Sequence, residues 1–108
     1  MSYDISLNDS SGHTVMVDRH WEGGTFALGG STDADMNITY NYSRLFPFRD
    51  LHRKRAGDTI DQMQAAVDHL GKDRDDDYWT PTKGNVGYAV SILLDWARQH
   101  PDAVWEVR

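Results

Sequence analysis

Hydrophobic residues change period partway along this chain. They recur at every second position up to about residue 42 and at helical spacing from residue 59 onward. A period of two places successive side chains on opposite faces of a strand, and a period near 3.6 lines up one stripe of a helix. The chain therefore reads as strands first and helices second. Tyr3, Ile5 and Leu7 mark a first strand, and Asn8 to Gly12 a turn. Val15 and Val17 lie within a second strand over residues 13–20. Glu22-Gly23-Gly24 gives a hairpin signal, because paired glycines accept the positive φ of tight turns. Thr25–Leu28 is a third strand. A fourth runs over Asn37–Tyr42, where Ile38, Tyr40 and Tyr42 alternate with Asn37, Thr39 and Asn41.

The helical half is equally patterned. Thr59 and Gln62 fit a capping box, and Ile60, Met63, Ala66, Val67 and Leu70 form one apolar stripe closed by Gly71. A second helix is expected from about Asn85 to Gln99, with Val86, Ala89, Val90, Leu93, Trp96 and Ala97 on a wide apolar arc. Pro101 ends it, and Ala103, Trp105 and Val107 alternate in a last strand. The expected fold is α+β: an antiparallel or mixed sheet with two helices packed on one face, in the order ββββααβ. A length of 108 residues makes this a single domain, 1–108, burying roughly 60–70% of its unfolded surface without staples.

Composition removes several function classes. There is no cysteine, which excludes disulfides, thiolate zinc sites and cysteine nucleophiles. Residues 1–12 have neither a basic start nor an apolar run, so no secretory leader is expected, and no segment has the apolar length of a membrane span. The expected location is the cytoplasm of a host cell, away from membranes. The net charge of −6 divides into −5 over residues 1–43, +4 over 44–55 and −5 over 56–108. An acidic chain with one basic segment does not suit general nucleic-acid binding, because phosphate repulsion opposes docking. It suits one small anion or one partner protein. Self-association as a homo-oligomer stays open.

The motifs for catalysis and metals are incomplete. Asp73, Asp75 and Asp77 open like a calcium loop, but Tyr78 and Gly84 stand where the glycine and the bidentate Glu belong. Asp33, Asp35 and Asn37 fail in the same way at Ile38 and Arg44. His13, His20, His52, His69 and His100 lack the spacing of a helical zinc motif, and no nucleophile elbow, Walker loop or dinucleotide fingerprint is present. The chain is expected to be non-catalytic, with no cofactor and no metal. A triad assembled only in three dimensions keeps an enzyme acting on a nucleotide or an amide as a third reading.

Three stretches remain as candidates for binding. The polar face of the fourth strand holds amides and hydroxyls rather than charges, which also describes an ordinary wet sheet face. The basic segment from Arg44 through Arg49 and Arg53 to Arg55 can grip an anion or be a solvated loop. The run Asp77–Asn85 places Tyr78, Trp79 and Lys83 before a helix N-terminus, where free amides and the dipole favour anions; simple capping by Thr82 or Asn85 explains most of it. The composite site is Asn37, Tyr40 and Asn41 for neutral hydrogen bonds or stacking and Tyr78 with Trp79 as an aromatic wall. Lys83 and the amides near Asn85 would meet negative charge, and one of Arg44, Arg49 and Arg53 would close the site. It requires the Asn37 strand to lie near the loop before Asn85.

Ile38-Thr39-Tyr40-Asn41, the Gly84-Asn85 loop, Leu93-Leu94-Asp95-Trp96-Ala97 and His100-Pro101-Asp102-Ala103 together resemble a family of small uncharacterised phage and prophage proteins. The resemblance covers about Asn37 to Val107. In that family the Tyr40-Asn41 pair and the loop around Gly84-Asn85 are the matched polar positions. It implies a phage-borne accessory protein without fixing a mechanism. A host-defence antagonist that sequesters a nucleotide-like anion leads. The alternative is an antagonist that binds a host defence protein directly through acidic patches, a reading that fifteen Asp against two Glu favours.

Overall fold

The computed structural model describes residues 2–17 and 33–108. Within these residues the order is β1 (Ser2–Asn8), β2 (Asp35–Thr39), α1 (Ile60–Leu70), α2 (Lys83–Gln99) and β3 (Val104–Val107). Three 3-10 turns, Tyr40–Arg44, Phe48–Leu51 and Ala56–Thr59, carry the chain from β2 to α1. The sheet is antiparallel throughout, with β1 between β2 and β3. No helix among the described residues is long and apolar enough to cross a membrane.

The α+β class stands, and the strand count does not. Among the described residues the order is ββααβ rather than ββββααβ. Among the described residues, residues 13–17 of the expected second strand make isolated pairings, Asn8 with Thr14 and Met16 with Asp33. At that point Leu7 divides its backbone between two neighbours: its N–H bonds Ala34 O at 3.0 Å and its C=O accepts from Val15 at 2.9 Å. Val15 thus stands between Leu7 and Ala34, accepting in turn from Ala34 N at 2.9 Å. The rest of that strand, the Glu22-Gly23-Gly24 hairpin and the Thr25–Leu28 strand lie outside the described residues.

The fourth strand is also shorter than its alternation implies. β2 stops at Thr39, and Tyr40–Arg44 winds into a 3-10 turn. Short polar side chains supply the competing bonds: Thr39 Oγ1 accepts from Asn41 N at 3.4 Å, and Ser43 Oγ donates to Tyr40 O at 2.7 Å. Tyr42 consequently turns inward and is fully buried, whereas Tyr40 is partly exposed.

Register assigns the two sheet faces. Tyr3, Ile5, Leu7, Met36, Ile38, Trp105 and Val107 share the inner face, and all but the partly buried Tyr3 are core residues. They form one cluster with Met63 and Val67 of α1 and Val86, Val90, Leu93 and Trp96 of α2. Both helices thus bury their stripes in the core shared with this face. The outer face carries Asp4, Ser6, Asn8, Asp35, Asn37 and Glu106.

Helix ends follow the sequence in part. Gly71 closes α1 at φ 76°, in the left-handed region where glycine costs least. Thr59 does not cap α1. Its hydroxyl donates to Ala56 O at 2.7 Å and accepts from the Trp105 indole at 2.9 Å, so the expected capping box is replaced by a buried link to β3. α2 starts two residues before Asn85 because Thr82 is the cap, its Oγ1 accepting from Asn85 N at 3.1 Å.

Candidate functional site

The end of β2 and the loop before α2 do meet. Thr39 N–H donates to the Tyr78 hydroxyl at 3.0 Å, and the Tyr42 hydroxyl donates to Tyr78 O at 2.6 Å. The Tyr42 and Tyr78 rings lie 5.2 Å apart, and Trp79 meets Tyr78 edge-on at 5.1 Å. Burial, followed by Tyr78, holds the Tyr42 hydroxyl well above its usual phenol range, so it stays a donor. Beyond Thr39, Tyr40 packs on Tyr3 at 4.4 Å. Tyr40 keeps 37% of its surface in solvent and Trp79 57%, enough for both rings to offer contact area. Asn41 and Arg44, three apart on a 3-10 turn, share one exposed side. Thr39 and Tyr42, on either side of Tyr40, thus tie the end of β2 to Tyr78, with the exposed Tyr40, Asn41 and Arg44 on the turn that follows and the exposed Trp79 next to Tyr78.

The other five expected contacts each have their own setting. Asn85 is 0% exposed and is spent on the loop. Its Oδ1 accepts from Asp75 N at 2.7 Å, and its Nδ2 donates to Asp77 O at 3.1 Å and Thr80 O at 2.8 Å. Gly84 lets the chain press on the helix start, since a Cβ there would stand 1.7 Å from Asp73 O. The protein's own backbone therefore packs against the first turn of α2, and Asn85 fastens that backbone. Lys83 is exposed beside it. Arg49 is exposed on the turn Phe48–Leu51, which passes β3. Arg53, at φ 68°, lies along the outer edge of β3 and lines a hollow of about 300 Å³ with Asn8, His52 and Glu106. Asn37 is on the outer sheet face, where its Nδ2 donates to Asp4 at 2.7 Å and Ser2 at 2.9 Å.

That outer face was legible only in halves. The apolar residues of β1 and β3 announce the core, but the intervening Asp4, Ser6, Asn8 and Glu106 acquire meaning only once the strands are adjacent. Together with Asp35 and Asn37 they line a shallow hollow of about 450 Å³. Its two sides differ electrically. On the β3 side, Arg108 bonds Glu106 at 2.8 Å and Asn8 adds a second bond at 2.8 Å, which hold the Glu106 carboxyl below its usual range. On the β2 side, partial burial raises the Asp35 carboxyl, and the charges of Asp4 and Asp33 raise it further. Among the described residues, Glu106 near β3 has a paired cation and Asp35 near β2 has none.

Metal ligation finds no support among the described residues, where no group of three His, Cys, Asp or Glu side chains is placed to hold an ion. The calcium-like run is a set of turns: Asp75 accepts from Asp77 N at 2.9 Å, and Asp77 accepts from Trp79 N and Thr80 Oγ1. No family model matches this chain, and no curated protein or solved structure shows significant similarity to it.

Proposed function

We propose that this chain is a non-catalytic binding protein that engages a partner protein through its acidic surface. The carrying observation is the outer face of the sheet, where Asp4 and Asp35 stand exposed and the Asp35 carboxyl is destabilised by burial and by its neighbours. Acidic side chains held at an electrostatic cost suit a positively charged partner, which would relieve that repulsion on docking. The resemblance to phage and prophage proteins is the support for a phage-borne accessory role, in which the partner is a host defence protein.

The exposed rings of Tyr40 and Trp79 favour a second reading, a nucleotide-like anion stacked on one of them with its phosphate on a nearby cation such as Arg44. Two measurements separate them. Incubation with a panel of nucleotides, followed by analysis of bound and released species, gives intact ligand for sequestration, altered ligand for catalysis, and no retention for a protein partner. Affinity capture from bacterial lysate then compares the wild type with Asp4→Lys/Asp35→Lys, its fold verified by circular dichroism. Proteins retained by the wild type and lost from the variant support the acidic-face reading. Identical captured sets overturn it.

A further inference from the structure

The two edges of the sheet are finished differently. The outer edge of β3 is closed by residues 53–57. Arg53 N–H bonds Trp105 O at 2.8 Å, Trp105 N–H bonds Lys54 O at 3.0 Å, and Ala56 and Gly57 continue the row to Ala103 and Pro101. His52 Nδ1 accepts from Val107 N at 3.0 Å. This cover carries Arg53, Lys54 and Arg55, and charge is a common protection for a sheet edge. The basic segment thus has a structural task.

Among the described residues β2 is the opposite edge, and the ladder fixes where its backbone groups point. In an antiparallel pair, alternate residues turn both N–H and C=O toward the partner. Asp4 exchanges both bonds with Arg108, and Leu7 donates to Ala34, so Tyr3 and Ile5 face β2. Their partners Ile38 and Met36 face β1, which leaves Asp35, Asn37 and Thr39 facing outward. Thr39 N–H is taken by the Tyr78 hydroxyl and Asp35 N–H by Asp33 O at 2.9 Å. The N–H and C=O of Asn37 and the C=O of Asp35 have no partner among the described residues. Asp35–Thr39 contains no Lys, Arg or Pro.

We propose that this edge takes up an extended segment of the partner as an added strand, with a Lys or Arg of that segment on the Asp35 side of the sheet. The proposal rests on the acidic-face reading above and names how the partner is held. Backbone bonds at Asn37 and Asp35 supply the register, as in other strand-addition complexes. Because side chains alternate, the segment's inward residue extends the apolar face of Met36 and Ile38. Its outward residue meets the exposed carboxylates of Asp35 and Asp4. A second copy of this chain fits poorly, since pairing β2 with itself about Asn37 sets two acidic outer faces side by side.

The test uses the full chain, labelled with nitrogen-15, and the acetylated, amidated peptide Val-Lys-Val-Arg-Val. A parallel series carries one backbone N-methyl group at each position in turn. The expected result is saturable shifts centred on the Asn37 amide, and a loss of affinity of at least tenfold for N-methylation at alternate positions only. Asp35→Asn should weaken binding at least threefold in low salt with the fold unchanged. Equal affinity for every N-methylated peptide, with shifts on Asp4, Ser6 and Glu106, overturns strand addition and leaves the acidic-face reading standing. Absence of any binding also overturns strand addition, while the charge-reversal capture independently decides the acidic-face reading.

Discussion

Removing the Asn85 side chain tests whether this residue is a staple or an ordinary first-turn position of α2. Its amide makes three hydrogen bonds to the backbone of the 75–80 loop, at 2.7, 3.1 and 2.8 Å, from a fully buried position. At a net worth of about 1 kcal/mol each, Asn85→Ala forfeits roughly 3 kcal/mol. The loop is largely exposed, so water recovers part of this, which leaves about 2–3 kcal/mol. With a urea dependence of about 1.5 kcal/mol per molar, the unfolding midpoint should fall by about 1.3–2 M. Asn85→Asp sharpens the test. A carboxylate in the first turn of a helix ordinarily gains about 0.3–1 kcal/mol from the dipole. Here it replaces the donor facing Asp77 O and Thr80 O with an oxygen and adds charge beside an aspartate-rich loop. It should therefore destabilise at least as much as Asn85→Ala. Urea unfolding followed by circular dichroism reads both. A midpoint within 0.3 M of wild type for Asn85→Ala, or a stabilised Asn85→Asp, would refute the staple.

Three further outcomes are expected. Gly84→Ala should lower the melting temperature despite a helix-propensity gain of about 1 kcal/mol, because its Cβ would stand 1.7 Å from Asp73 O, and a rise in melting temperature would contradict the close approach. Trp105→Phe should cost at least about 2 kcal/mol more than Trp96→Phe: both rings are buried, but Trp105 loses its bond to Thr59, whereas the Trp96 indole N–H has no partner among the described residues. Equal losses in chemical denaturation would remove that distinction. For Asp35, the folded carboxyl has a higher pKa than the unfolded one, so the stability cost of ionisation is absent at low pH and complete above the folded pKa. Asp35→Asn should accordingly be more stable than wild type at pH 7, with the gap closing toward pH ~3; a gap constant across that range sinks the electrostatic argument.

The site was partly legible, and the reasons are particular. Tyr40 and Trp79 stand out in the sequence as aromatics in polar company, and only the bonds from Thr39 and Tyr42 to Tyr78 bring their two segments together. Asn85 was visible as polar at a helix start, but capping and stapling use the same residue type at the same position. Only the path of residues 73–80 distinguishes them. Alternation through Tyr40 and Tyr42 pointed to a longer strand, and local bonds from Thr39 and Ser43 outweighed it.

By itself the sequence determined the period of each segment, hence the apolar stripe of α1, the wide buried arc of α2, the alternating inner face and the glycine at the end of α1. These are short-range properties, set by how side chains project from a regular backbone. Tertiary structure decided which polar residues share a surface. Asp4 and Asp35 are 31 positions apart in the chain, Arg108 lies further still, and antiparallel pairing with β1 in the centre brings all three onto one face. It also decided which edge of the sheet is closed, because the covering strip 53–57 pairs with β3, which reaches the sheet only through the return of the chain by α1 and α2. Charge balance and open hydrogen-bonding edges depend on distances between remote segments, and those distances exist only in the folded molecule.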